Sequence, residues 1–206
     1  MNVKDMLRQA SDAAKQLITL SDQTIIGILK ETAQVLRTHT EEVLAANRQD
    51  LERMDPANPK YDRLKLTEER LQGIAADMEN VSTLPSPLNK VLSETTRPNG
   101  MVIRKVTVPF GVIGVIYEAR PNVTFDVFSL CFRSGNVCVL KGGSDADFSN
   151  RALVRIIHSV LERQGINPAV CTLLPPDREA TAELLGAVGL VDLITVSYTH
   201  LTLPTI

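Results

Sequence analysis

Two short apolar runs with a helical pattern between them constrain this chain more than any other feature. Residues 108–144 read VPFGVIGVIYEARPNVTFDVFSLCFRSGNVCVLKGGS. Within them GVIGVI (111–116) is rich in β-branched residues and has no polar alternation, the pattern of a strand covered on both faces. A polar turn follows, Glu118-Ala119-Arg120-Pro121-Asn122, in which the proline cannot donate to a ladder. Residues 123–134 read as a helix, closed by Gly135 in a left-handed end. VCVL (137–140) is a second apolar strand, with Lys141-Gly142-Gly143-Ser144 at its exit. Strand, helix, strand predicts a parallel pair whose polar loops leave on one side. In open α/β sheets that edge holds ligands.

The alternation continues beyond Ser144. A helix over 147–164 puts Phe148, Ala152, Ile156, Val160 and Leu161 on one face, and Gly165 closes it. A third strand at 170–174, a Pro175-Pro176 break, a short helix from Asp177 to about Gly186 and a fourth strand at 191–194 complete the pattern. The fold class is therefore α/β, with a doubly wound parallel sheet.

Upstream the chain is helical. Val3, Leu7, Ala10, Ala14 and Leu17 make one helix face, Ser21 offers a cap for a second helix, and Thr38 with Glu41 has capping-box spacing for a third. After the breaker Asp55-Pro56-Ala57-Asn58-Pro59, Thr67-Glu68-Glu69 starts a fourth. Pro98-Asn99-Gly100 then marks the turn of an antiparallel hairpin. The expected division is a helical segment at 1–90, a hairpin at 91–109 and a cofactor-binding α/β domain at 110–194.

Charge and composition exclude several classes. The formal net charge of −2, with both signs well mixed, leaves no basic stripe for nucleic acid or a polybasic membrane contact. No apolar run approaches membrane-spanning length. The three cysteines are widely spaced and read as small core residues, and His158 has no second ligand at metal spacing, so no metal site is expected. This usage suits a reducing, cytoplasmic setting.

Four positions or groups carry candidate chemistry. Asn122, at the mouth of the first strand, is either a helix cap or an amide donor to a developing oxyanion. Lys141 with Gly142, Gly143 and Ser144 combines a cation with a loop whose backbone can approach a nucleotide closely. Asp145 and Asp147 in the same turn repel phosphate, so Lys141 suits a ribose hydroxyl or an adenosine-side phosphate better than a pyrophosphate. Glu118 and Arg120 bind substrate or cofactor, or pair with each other. No P-loop and no G-x-G-x-x-G fingerprint occurs.

The run GVIGVIYEARPNV, followed by SGN and LKGGS, resembles the glutamate-5-semialdehyde dehydrogenases, also called γ-glutamyl phosphate reductases, as do DRLKLTEERLQGIAADMENV and the stretch Ala46-Asn47-Arg48-Gln49-Asp50. The resemblance covers about 6–193 and implies the N-terminal portion of an aldehyde dehydrogenase fold, with an incomplete cofactor domain and a small oligomerisation hairpin. It also implies NADPH-dependent reduction of L-glutamyl 5-phosphate to glutamate 5-semialdehyde with release of phosphate, in proline biosynthesis, by a homo-oligomer. A cysteine thiolate attacks the acyl phosphate and the thioester takes hydride. Asn122 matches the family's oxyanion amide, Lys141 the lysine at the adenosine ribose, and Gly142, Gly143 and Ser144 the loop beside it.

One departure accompanies the match. After Val191-Asp192-Leu193-Ile194 the family pattern continues through an Arg-Gly-Gly turn, whereas this chain reads TVSYTHLTLPTI. Residues 195–206 read as a foreign tail, and the nucleophilic cysteine is expected downstream of the break. The expectation is an inactive fragment. The rivals are a non-catalytic nucleotide-binding fragment and another aldehyde dehydrogenase relative.

Overall fold

A computed structural model describes residues 2–197. Five helices come first: α1 (Val3–Leu17), α2 (Asp22–Thr38), α3 (Thr40–Glu52), α4 (Tyr61–Leu64) and α5 (Glu68–Thr83). Ser21 and Thr67 cap α2 and α5 as their types predict, accepting from Thr24 N and Arg70 N, each at 3.1 Å. The capping box expected at Thr38 does not form. Thr38 is still helical, its hydroxyl donates back to Val35 O at 2.9 Å, and α3 starts from His39 with no side-chain cap. The end of α2 takes the hydroxyl before α3 can. The single turn of α4 leaves no signal in the sequence, because four residues hold too little of a period to read.

The hairpin pairs β1 (Val91–Thr96) with β2 (Val102–Val106), from Val91↔Val106 to Thr96↔Val102, and all its residues are exposed. The sheet proper contains β3 (Val112–Tyr117), β4 (Val137–Lys141), β5 (Cys171–Leu173) and β6 (Leu193–Ser197), separated by α6 (Asn122–Arg133), α7 (Asp147–Arg163) and α8 (Arg178–Leu185). All neighbours are parallel, in the order β5-β4-β3-β6. The fourth strand lies later than its expected span, 191–194. Val191 N donates to Ala187 O, closing the turn after α8, and Asp192 Oδ2 accepts from Val112 N at 2.8 Å, so pairing with β3 starts at Leu193. Thr195, Val196 and Ser197, assigned from sequence to a foreign tail, therefore pair with β3; the rest of that stretch, 198–206, lies outside the described residues.

Both sheet faces are covered, which is why β3 and β4 read as continuous apolar runs. A Cβ on Gly114 would lie 3.1 Å from Leu184 of α8, whereas Tyr117, three residues on and so on the opposite face, bonds Thr124 of α6. One apolar core runs from Val3 of α1 to Leu184 of α8, joining the helical segment to the sheet. On α7, Ala152, Ile156, Val160 and Leu161 are buried as expected. Phe148 is not: it stays 37% exposed, with the Arg53 guanidinium 5.5 Å from its ring centroid. Gly135 takes φ +70 where α6 ends, the conformation its position predicts. Buried Arg133 ties the layers together by donating to Leu84 O and pairing with Asp22.

The strand order reverses between β3 and β6. In a doubly wound sheet the crevice at the carboxyl ends of such strands is the place for ligands.

Candidate functional site

The polar turn at 118–122 leaves β3 at that edge. Glu118 accepts from Lys60 Nζ at 3.1 Å. Asn122 is the first residue of α6, and the helix has no side-chain cap bond. Its Nδ2 instead donates to Asp126 Oδ2 at 3.0 Å, one turn along the helix. Asn122 is thus not the cap that its residue type suggested. A carboxylate can only accept, so the amide nitrogen is the atom facing Asp126, and that nitrogen carries a second hydrogen to give. Burial pushes the Asp126 carboxyl up from its ordinary range, the Asn122 bond holds it down, and Asp77 raises it again. Asn122 and Arg120 line a cleft of about 340 Å³ against Gly73 and Ile74 of α5.

Lys141 ends β4 and is 5% exposed. Its Nζ donates to Gly142 O at 3.0 Å and Pro176 O at 3.2 Å, which leaves one of its three hydrogens uncommitted. Burial lowers its pKa, while Asp177 and Asp147 oppose that shift. A Cβ on Gly142 would come 2.3 Å from Asn150 Nδ2. Asn150 belongs to a buried chain in which Tyr117 donates to Thr124 Oγ1 (2.8 Å) and Thr124 to Asn150 Oδ1 (3.0 Å). Packing against Asn150 beneath the loop therefore favours glycine at this position. Ser144 opens a 3-10 turn, Ser144–Ala146, that leads into α7. Lys141, Gly142, Gly143 and Ser144 share a cleft of about 570 Å³ with Glu118 and with Asp177 at the start of α8.

A third cleft, of about 320 Å³, lies at the reversal of strand order, lined by Lys60, Arg63, Tyr117, Glu118, Arg120 and Ser197. Glu118 thus faces the Lys141 cleft and the reversal cleft, and Arg120 faces the reversal cleft and the Asn122 cleft. One five-residue turn walls all three. The candidate residues named from sequence are divided among these three clefts: Asn122 lines one, and Lys141, Gly142, Gly143 and Ser144 line another.

Other site residues were not read from sequence. Arg63 and Lys60 arrive with α4. Asp126 could have been found from its spacing of four from Asn122. Asp50 of α3 had no local signal: its carboxylate, 1% exposed, accepts from Phe148 N (3.1 Å), Ser149 N (2.8 Å) and Ser149 Oγ (2.6 Å), and so caps α7 from a distant part of the chain.

The cysteines are buried. Burial pushes the Cys131 thiol up, and hydrogen bonding with Cys171 together with burial does the same to Cys138, so neither is a ready thiolate. His158 Nε2 lies 2.7 Å from Cys171 O. Among the described residues no group of three His, Cys, Asp or Glu could hold a metal ion, and no helix is long and apolar enough to cross a membrane.

No family model matches the chain. Over 194 residues, 94% of its length, it is 99% identical to a gamma-glutamyl phosphate reductase of Parabacteroides distasonis, covering 47% of that relative. The chain belongs to the gamma-glutamyl phosphate reductase family. It spans about half the length of the curated relatives it matches. The crystal structure of the gamma-glutamyl phosphate reductase from Thermotoga maritima superimposes with a TM-score of 0.93 at 29% identity, over 97% of this chain and 49% of that one. The same fold extends to an engineered glycolyl-CoA reductase with bound NADP+, at a TM-score of 0.65, 18% identity, and coverage of 96% of this chain and 42% of that one. The reductase family and its aldehyde dehydrogenase neighbours thus share the helical layer and parallel sheet described above.

Proposed function

We propose that this chain supplies the cofactor cleft and the oxyanion donor for NADPH-dependent reduction of L-glutamyl 5-phosphate to L-glutamate 5-semialdehyde, with release of phosphate. The observation that carries this reading is the turn at 118–122, which is a wall of both the Lys141 cleft and the Asn122 cleft. A nucleotide held on one side of it reaches a carbonyl held on the other. The family match supports the same chemistry.

The residues fit a nucleotide. Lys141 presents a fixed ammonium with one hydrogen to give, suited to an adenosine ribose hydroxyl. Asp145 and Asp177 line the same cleft and can accept hydroxyl protons, and Arg178 adds a cation for a 2′-phosphate. The bound cofactor supplies hydride. Asn122 donates its second amide hydrogen to the carbonyl oxygen as charge gathers there, and Asp126 fixes the amide's direction. The thiolate nucleophile comes from the part of the protein outside this chain, since the buried cysteines here are poorly suited to the role. The exposed apolar residues Val91, Leu92, Val102 and Ile103 of the hairpin support self-association of the whole protein.

Lys141→Met in the full-length protein tests the cofactor assignment. The expected result is a nucleotide KM raised about tenfold, the loss of one charge-assisted hydrogen bond, with kcat little changed. An unchanged nucleotide KM, measured by NADP+ reduction at saturating semialdehyde and phosphate, would remove Lys141 from the cofactor site.

A further inference from the structure

The Asn122 cleft has a charge that the oxyanion role does not use. Four cations line it, Arg63, Lys65, Arg70 and Arg120, against two carboxylates, Asp62 and Asp77. They are not equivalent. Arg70 is tied down, donating to Asp62 O and Lys65 O and pairing with the Asp62 carboxylate at 3.1 Å. Asp77 lies on the Asp126 side of the cleft, where it raises the Asp126 carboxyl. Arg63 and Arg120 form no ion pair among the described residues, and both face the Asn122 cleft and the reversal cleft. Two unspent guanidinium groups therefore flank the amide that faces the reacting carbonyl.

We infer that Arg63 and Arg120 bind the phosphate group of the acyl phosphate. This rests on the reading of function above. Arg120 stands two residues from Asn122 on the same turn, and the phosphate is bonded directly to the carbonyl carbon that Asn122 serves. The substrate's α-carboxylate lies several bonds farther away. Guanidinium forks match phosphate oxygens in pairs. When the thiolate attacks, the new C–S bond forms and the C–O bond to phosphate breaks, with its electron pair staying on the departing phosphate. The arginines meet that added negative charge where it appears. In the reverse direction the same groups hold inorganic phosphate as it attacks the thioester and the thiolate leaves. The short helix α4 thereby brings Arg63 to the substrate.

The test uses the full-length protein in the reverse direction, with glutamate semialdehyde, inorganic phosphate and NADP+. Arg63→Ala and Arg120→Ala are each expected to raise the KM for phosphate about tenfold, with the KM for semialdehyde nearly unchanged. Arg63→Lys and Arg120→Lys should recover only part of the loss, because an ammonium cannot pair two oxygens in the same way. Sulfate, a competing tetrahedral anion, should lose inhibitory strength in parallel. An unchanged phosphate KM, or a rise confined to the semialdehyde KM, overturns the assignment. Wild-type protein that reduces no NADP+ under these conditions would instead overturn the reading of function itself.

Discussion

Asn122→Ala in the full-length protein is expected to lower kcat by about 10²–10³-fold, the usual cost of losing one oxyanion donor in a water-poor site. The nucleotide KM should stay close to that of the wild type, because Asn122 lines the cleft on the other side of the turn from Lys141. The Asp126 bond sets the size of this effect. With one Nδ2 hydrogen held by Asp126 at 3.0 Å, the amide cannot rotate freely, and its second hydrogen has a fixed direction. Alanine removes the donor without touching the backbone of α6. Steady-state NADP+ reduction at varied semialdehyde, phosphate and nucleotide measures all the constants needed. A kcat within a few-fold of wild type would strip Asn122 of its catalytic role.

Asp50→Ala should cost about 3 kcal/mol of stability, since it strips three hydrogen bonds from one buried carboxylate and leaves two amides at the start of α7 without acceptors. The damage is positional as well as energetic. The Lys141-Gly142-Gly143-Ser144 loop runs directly into the helix that Asp50 caps, so nucleotide affinity should fall along with stability. Asp50→Asn should cost less but not nothing: both carboxylate oxygens accept here, and an amide would set one N–H against another. Burial, the largest influence on Asp50, raises its carboxyl pKa. That contribution to stability is therefore fully present below the unfolded-state pKa and is lost as pH rises through the higher folded value. Chemical denaturation of wild type and both variants at neutral pH and near pH 4 distinguishes these effects. Equal stability of wild type and Asp50→Ala at neutral pH would contradict the capping role.

The sheet was legible because strands covered on both faces leave no polar alternation, and GVIGVI and VCVL have none. The turn between them was legible because Pro121 forbids a ladder position and because polar residues gather where strands end. What the sequence hid is what long-range packing decides. Thr38 and Glu41 have capping spacing, yet the preceding helix takes the threonine hydroxyl first. Asn122 looked like a cap because asparagine usually is one; the choice fell instead to Asp126, one turn ahead. The need for Gly142 appears only when α7 brings Asn150 beneath it. Arg63 sits on one helical turn after a proline-rich breaker, where neither period nor motif marks it. The chemistry-bearing residues of β3 and β4 were therefore readable, and those contributed by the helical layer were not.

On the proposed reading, the turn at 118–122 separates a nucleotide cleft from a carbonyl cleft. A crystal structure of the full-length protein with NADP+ bound would show whether it does. The expected structure has an adenosine ribose hydroxyl within about 3.2 Å of Lys141 Nζ, with the nicotinamide reaching past the turn toward Asn122. A nucleotide bound with no contact to Lys141, or with its adenosine in the cleft beside Arg63 and Arg120, would contradict it.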